Sequence, residues 1–184
     1  PVPAEFNDEL VQMPFSILFF GEERSSFRVG HKGYISFTDG ASTYTNQALP
    51  SATTPNAVIA AWWDDAECPS GGIRSEIRGE EPAREMVIQW DCHLFVNTGP
   101  NWNAQIHLYE GSSTIKLSYG AITGSFSATV GIEDAAGQIA WEGPGATGAP
   151  CRASCDTADW VSDSAILFIQ GPDLAVDEGA TSSA

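Results

Sequence analysis

The sequence predicts an all-β domain, an antiparallel sandwich or flattened barrel of about ten strands. Three observations carry that expectation. Short runs alternate apolar and polar residues, as in Thr114-Ile115-Lys116-Leu117-Ser118-Tyr119. Clusters of Gly, Pro, Asn, Ser and Thr separate the runs. No apolar pattern of helical period persists for the roughly 12 residues that a stable helix needs. The chain has 184 residues, the size of one domain. With 9 Phe, 6 Trp and 4 Tyr it has enough apolar surface to offset its ordering entropy, which excludes intrinsic disorder.

The elements follow in order. Residues 1–13 are polar and weakly patterned and read as a lead-in. The run 15–20 is apolar except for Ser16. Residues 26–31 and 33–37 flank a tight turn at His31-Lys32-Gly33. The run 58–63 is apolar throughout, as expected for a strand covered on both faces. Within it Trp62 and Trp63 point to opposite faces and, with Trp90, are core candidates. Residues 73–78 and 85–90 read as a hairpin turning at Gly79-Glu80-Glu81-Pro82. The run 105–110 places Ile106 and Leu108 on one face and His107, partly exposed, on the other. A hairpin loop, Glu110-Gly111-Ser112-Ser113, leads to 114–119. Residues 128–133, 138–141 and 165–169 complete the series. The domain thus spans 14–170, and the Asp/Gly/Ser/Thr-rich residues 171–184 read as a linker. The absence of an initiating Met before Pro1 suggests a piece of a larger product.

The formal net charge is −16. That argues against nucleic acid as a partner, because phosphates require Lys and Arg. The apolar runs fall short of the roughly 18 residues that span a bilayer, so no membrane insertion by this fragment is expected. The four cysteines, an even count, suit an oxidising compartment. Folding the 73–90 hairpin about its centre brings Cys68 and Cys92 within about one residue of cross-strand register, close enough for a disulfide. Cys151 and Cys155 would close a second, small loop. The competing reading is a four-cysteine zinc site, but 68 and 92 lack the close spacing of a zinc ligand pair.

The order of several segments is informative. It runs Gly33-Tyr34-Ile35-Ser36-Phe37, Leu49-Pro50, Val58-Ile59-Ala60 leading to Trp63-Asp64-Asp65, and Val87-Ile88-Gln89-Trp90. Then come Gln105-Ile106-His107-Leu108-Tyr109-Glu110, Ile115 to Tyr119, and Ala128-Thr129-Val130-Gly131-Ile132-Glu133. This order resembles a nidogen-like (NIDO-type) extracellular domain over residues 28–142, and more narrowly the bacterial relatives found in large secreted surface proteins. The resemblance implies an adhesion or matrix role and supplies no catalytic residues. Lys32 and Ala104 depart from the pattern.

Candidate site residues are few. Asp64 and Asp65, helped by Glu67 or Asp91, offer oxygen ligands to Ca2+; the alternative is that Asp64 caps the turn after its strand. Trp102, flanked by Asn101 and Asn103, and Trp160 are placed in polar loops, where an indole stacks on a sugar or anchors a protein. The alternative is that each closes one end of the sandwich. Glu110 and Glu133 end strands and are the only carboxylate pair considered for glycoside hydrolysis. Three functions follow: a non-catalytic extracellular adhesion or assembly module, a carbohydrate-binding module, or a secreted hydrolase. The expected partners are other surface or matrix proteins, self-association by strand addition, or polysaccharide, with Ca2+ as the one cofactor considered. Non-reducing peptide mapping tests the cysteine assignment: two disulfides, 68–92 and 151–155, are expected, and a 68–151 link or free thiols would contradict it.

Overall fold

The apolar run 58–63 forms a strand whose residues are all buried. A strand covered on both faces needs neighbours above and below, and the rest of the chain supplies them. The computed structural model describes residues 8–69, 71–95, 102–112, 114–122, 128–142 and 165–169. These contain β1 (Glu9–Phe19), β2 (Glu22–Val29), β3 (Tyr34–Ser36), β4 (Val58–Trp63), β5 (Ala66–Glu67), β6 (Ile73–Arg78), β7 (Glu85–Leu94), β8 (Trp102–Tyr109), β9 (Thr114–Ile122), β10 (Thr129–Glu133), β11 (Ala140–Glu142) and β12 (Ala165–Ile169).

The strands form two antiparallel sheets. The first has the order β1-β2-β3-β4-β10-β11. The second runs β12-β9-β8-β7, and β5 and β6 lie in succession along the far side of β7. Inward residues of both sheets share one core, from Phe15, Ile17, Phe19, Phe27 and Ile35 to Ile88, Trp90, Ile106, Leu108, Ile115 and Leu117. Two buried hydrogen bonds tie the sheets together: Trp90 Nε1 donates to the Gly30 carbonyl at 2.9 Å, and the Tyr119 hydroxyl donates to the Ala61 carbonyl at 3.0 Å. The expected all-β sandwich is the fold observed.

A smaller cluster lies on the outer face of the first sheet. Tyr34, Val58, Ala60 and Trp63 are covered there by Ala41 and Leu49 of the long connection between β3 and β4. The connection is held by polar groups projecting from the sheet. Ser36 Oγ donates to the Asn56 carbonyl at 2.9 Å, Trp63 Nε1 to the Thr43 carbonyl at 2.8 Å, and Thr129 Oγ1 to the Gln47 carbonyl at 2.7 Å. Residues 38–57 carry few apolar side chains, so this cover was not foreseen.

Trp62 and Trp63 do point to opposite faces, but Ala61 and Trp62 both enter the central core. The N–H groups of Ala61 and Trp62 both donate to the Gly33 carbonyl, at 3.0 and 2.9 Å. Two residues oppose one, which is a β-bulge, and it turns the tryptophan pair about the strand axis.

Three expectations need correction. The lead-in 1–13 is not outside the domain: β1 starts at Glu9, and Met13 belongs to the core. Its alternation is broken because the β1–β2 register shifts between Gln12 and Ile17. Pro14 sits inside that irregularity, where it removes no regular ladder hydrogen bond. Trp102 opens β8 rather than sitting in a loop. The cysteines are aligned by β5, not by extension of the β6–β7 hairpin: Glu67 pairs with His93, which sets Cys68 beside Cys92 with Cα atoms 4.3 Å apart. The disulfide itself is present as expected. Cys151, Cys155 and the tail 171–184 lie outside the described residues.

Gly33 sits where the chain leaves no room for a side chain. Its φ is +78°, and a Cβ there would lie 2.0 Å from the Trp62 carbonyl oxygen and 2.9 Å from the Trp102 ring. Gly33→Ala combines a left-handed backbone with overpacking against main chain and is expected to destabilise the domain by about 3–5 kcal/mol. Urea denaturation measures it; an unchanged midpoint would contradict the role assigned to this position.

Candidate functional site

The candidate calcium ligands, the two described cysteines, Trp102 and Asn103 gather at one end of the second sheet. Asp64 and Asp65 lead into β5, which carries Glu67 and is followed by Cys68. On β7, Asp91 pairs with Asn103 and Cys92 with Trp102 of β8. The disulfide crosslinks this end, with Cys68 and Cys92 both buried.

Three of the four carboxylates here have a partner of their own. Asp64 Oδ1 accepts the Asp65 N–H at 2.7 Å, the capping arrangement. Asp65 pairs with Lys32 at 2.7 Å, and the same ammonium donates to the Ala66 carbonyl at 2.9 Å. Asp91 accepts from Arg74, from Asn103 and, at 3.0 Å, from Gln89. Glu67 is exposed on β5. A calcium site needs these oxygens to converge. Among the described residues no three His, Cys, Asp or Glu side chains come together to hold a metal.

Trp102 is only 1% exposed. Its indole lies 6.4 Å from that of Trp62 and fills the core between the sheets, so it offers no stacking surface. Reading it as a loop residue failed because the polar residues before it mask the start of a strand. Asn103, by contrast, belongs to the outer face, on the register row of Asp91. It sits over Gly120, where a Cβ would come 3.0 Å from its Oδ1, so the missing side chain makes its seat. Gln105 Nε2 donates to Gln89 Oε1 at 2.7 Å and extends the polar ladder that starts at Arg74 and Asp91. Asn101 and Trp160 lie outside the described residues.

A second polar row crosses the same outer face. His107 Nδ1 lies 2.7 Å from Glu85 Oε1. His107 is 5% exposed, not partly exposed as expected, because Val87 and Lys116 flank it in register. Burial lowers its pKa, and the Glu85 carboxylate only partly restores it. Burial raises the Glu85 pKa, but hydrogen bonds from His107 and Tyr109 outweigh it and hold the carboxyl below its ordinary value. Tyr109 is pushed up to about 12 by burial and by the Glu85 carboxylate.

The carboxylates weighed for hydrolysis stand on different sheets. Glu110, after β8, takes a two-pronged contact from Arg84, 2.8 Å from Nε and 2.6 Å from Nη2. That contact lowers its pKa. Glu133, on β10, is fully buried under the β3–β4 connection and accepts the Ser51 N–H at 2.6 Å. Burial raises its pKa to about 7. The structure therefore does not bring this pair together.

A protein-family model described as NIDO related matches residues 4–163. The chain belongs to the NIDO-related family. The match extends on both sides of the 28–142 span over which the nidogen-like resemblance was noted, and at its N-terminal side it takes in β1. No curated protein and no solved structure matches this NIDO-related chain.

Glu133 makes a pH prediction for the NIDO-related domain. Its folded pKa of about 7 lies above the ordinary 4.5, so the folded state holds its proton more tightly than the unfolded chain does. The resulting stability is fully present below pH 4.5 and is lost as pH rises through 7, a swing of up to about 3 kcal/mol. Glu133→Gln keeps an acceptor for the Ser51 N–H and cannot ionise. It should match the parent at pH 4.5 and exceed it in melting temperature at pH 8; equal melting temperatures at both values would contradict this assignment.

Proposed function

We propose that this NIDO-related domain is a non-catalytic extracellular module that holds or presents a larger assembly by contacting other surface or matrix proteins. The observation that carries the reading is the buried Cys68–Cys92 disulfide within a domain of this family. A crosslink of this kind persists in oxidising surroundings and is rare in reducing ones. The acidic surface supports the same reading: a formal charge of −16 keeps the domain soluble and repels anionic membranes and nucleic acid.

Polysaccharide is a second reading, supported by the hydrogen-bonding row Arg74, Gln89, Asp91, Asn103 and Gln105 on the outer face of the second sheet. The test is binding of the labelled, oxidised domain to intact cells before and after surface proteolysis, with purified polysaccharides in parallel. Saturable binding that proteolysis abolishes is expected. Binding that survives proteolysis and is competed by polysaccharide would favour the second reading. Absence of any binding, with glycoside turnover lost in Glu110→Gln or Glu133→Gln, would overturn both.

A further inference from the structure

Sheet edges expose unpaired backbone donors and acceptors, and natural domains blunt them with charge, proline, bulges or brevity. Among the described residues, three of the four sheet edges carry such protection. β1 has Glu9, the register irregularity between Gln12 and Ile17, and Pro14. β11 is three residues long and ends in Glu142. The β5–β6 side carries Glu67, Arg74, Glu76 and Arg78.

β12 differs. Its sequence Ala165-Ile166-Leu167-Phe168-Ile169 has no charge and no proline, and it pairs with β9 in unbroken register. It is the last strand of its sheet among the described residues. Leu167 is 55% and Ile169 71% exposed, both on the outer face beside Lys116 and Thr114. Ile166 and Phe168 pack against the core and hold the strand in place.

The charge around this edge selects its occupant. Asp163 precedes the strand in sequence and Asp173 follows it, and no Lys or Arg occurs after Arg152. A second copy would have to approach a molecule that, like itself, carries −16. Charges flanking an apolar strand oppose pairing with itself but accept a strand of opposite flanking charge.

From this we infer that the edge of β12 left unpaired among the described residues docks an extended segment of a different protein, with aliphatic residues at alternate positions and Lys or Arg at both ends. Backbone hydrogen bonds would add it as a further strand of the second sheet, beside Leu167 and Ile169. The inference rests on the reading of the domain as an assembly module and names the surface and the chemistry of its partner.

Fluorescence anisotropy with three labelled peptides and the full chain provides the test. The first peptide is Lys-Lys-Val-Thr-Val-Thr-Val-Lys-Lys. The second replaces each Lys with Glu. The third keeps the Lys ends around a Gly/Pro interior that cannot form a strand. The first should bind at least tenfold more tightly than either of the others and should slow amide exchange across 165–169. Leu167→Lys, at an exposed position, should leave the melting temperature unchanged and weaken that binding about tenfold. Equal affinity for the first and third peptides, or binding without protection at 165–169, would overturn the inference. So would a concentration-dependent dimer in sedimentation that Leu167→Lys abolishes, since the occupant would then be a second copy. If Leu167→Lys still binds cells as the parent does, the edge assignment falls and the assembly reading stands.

Discussion

β4 is apolar at every position, so neither of its faces tolerates water, and the rest of the molecule is organised by that constraint. One face takes the second sheet as its cover. The other takes a connection that is poor in apolar residues and has to be held by hydrogen bonds. This explains why Ser36, Thr129 and Glu133 are polar yet buried on the outside of a sheet. They satisfy the backbone of a loop that lies where a third layer would otherwise be. The elevated Glu133 pKa has the same origin, since the covering layer that hides Val58, Ala60 and Trp63 also desolvates the carboxyl.

Where physical pattern and local chain coincide, the sequence was a good guide. β12 begins and ends where its apolar run does, and β4 ends with its run and starts one residue after Ala57 opens it. β1 and β12 are the outermost strands of their sheets on one side among the described residues. The Cys68–Cys92 pairing was legible because the 73–90 hairpin brings the two cysteines into the same neighbourhood, although β5 sets their final alignment. What escaped depended on partners distant in sequence. The β1 alternation is hidden by its shift in register, and β5 is only two residues long. The burial of Trp102 and His107 is set by strands on either side of them, not by their own neighbours in the chain.

The same distinction separates the readings of the acidic residues. By type and spacing, Asp64, Asp65, Glu67 and Asp91 suit a hard cation. Their surroundings show a different use: Lys32 neutralises one, Arg74 another, and a backbone N–H occupies a third. Glu110 is likewise held by Arg84, whose guanidinium also lies over the Phe15 ring, 5.6 Å from its centroid. This chain has few cations, and several of them neutralise carboxylates at the ends of strands. The excess acid is left to the surface, where it sets the long-range field and hence the kinds of molecule that approach.

The position of the disulfide also bears on how the domain would respond to tension. The two cysteines are 24 residues apart, one just after β5 and one on β7 in the middle of the sequence, whereas β1 and β12 are outer strands of different sheets. Tension applied through the chain ends would peel the outer strands first. The span between Cys68 and Cys92 could not pay out even after complete unravelling. At about 3.4 Å per extended residue, roughly 80 Å of contour is withheld from the stretched chain for as long as the sulfurs stay bonded. Oxidation thus sets the maximum extension of the domain as well as its stability at rest.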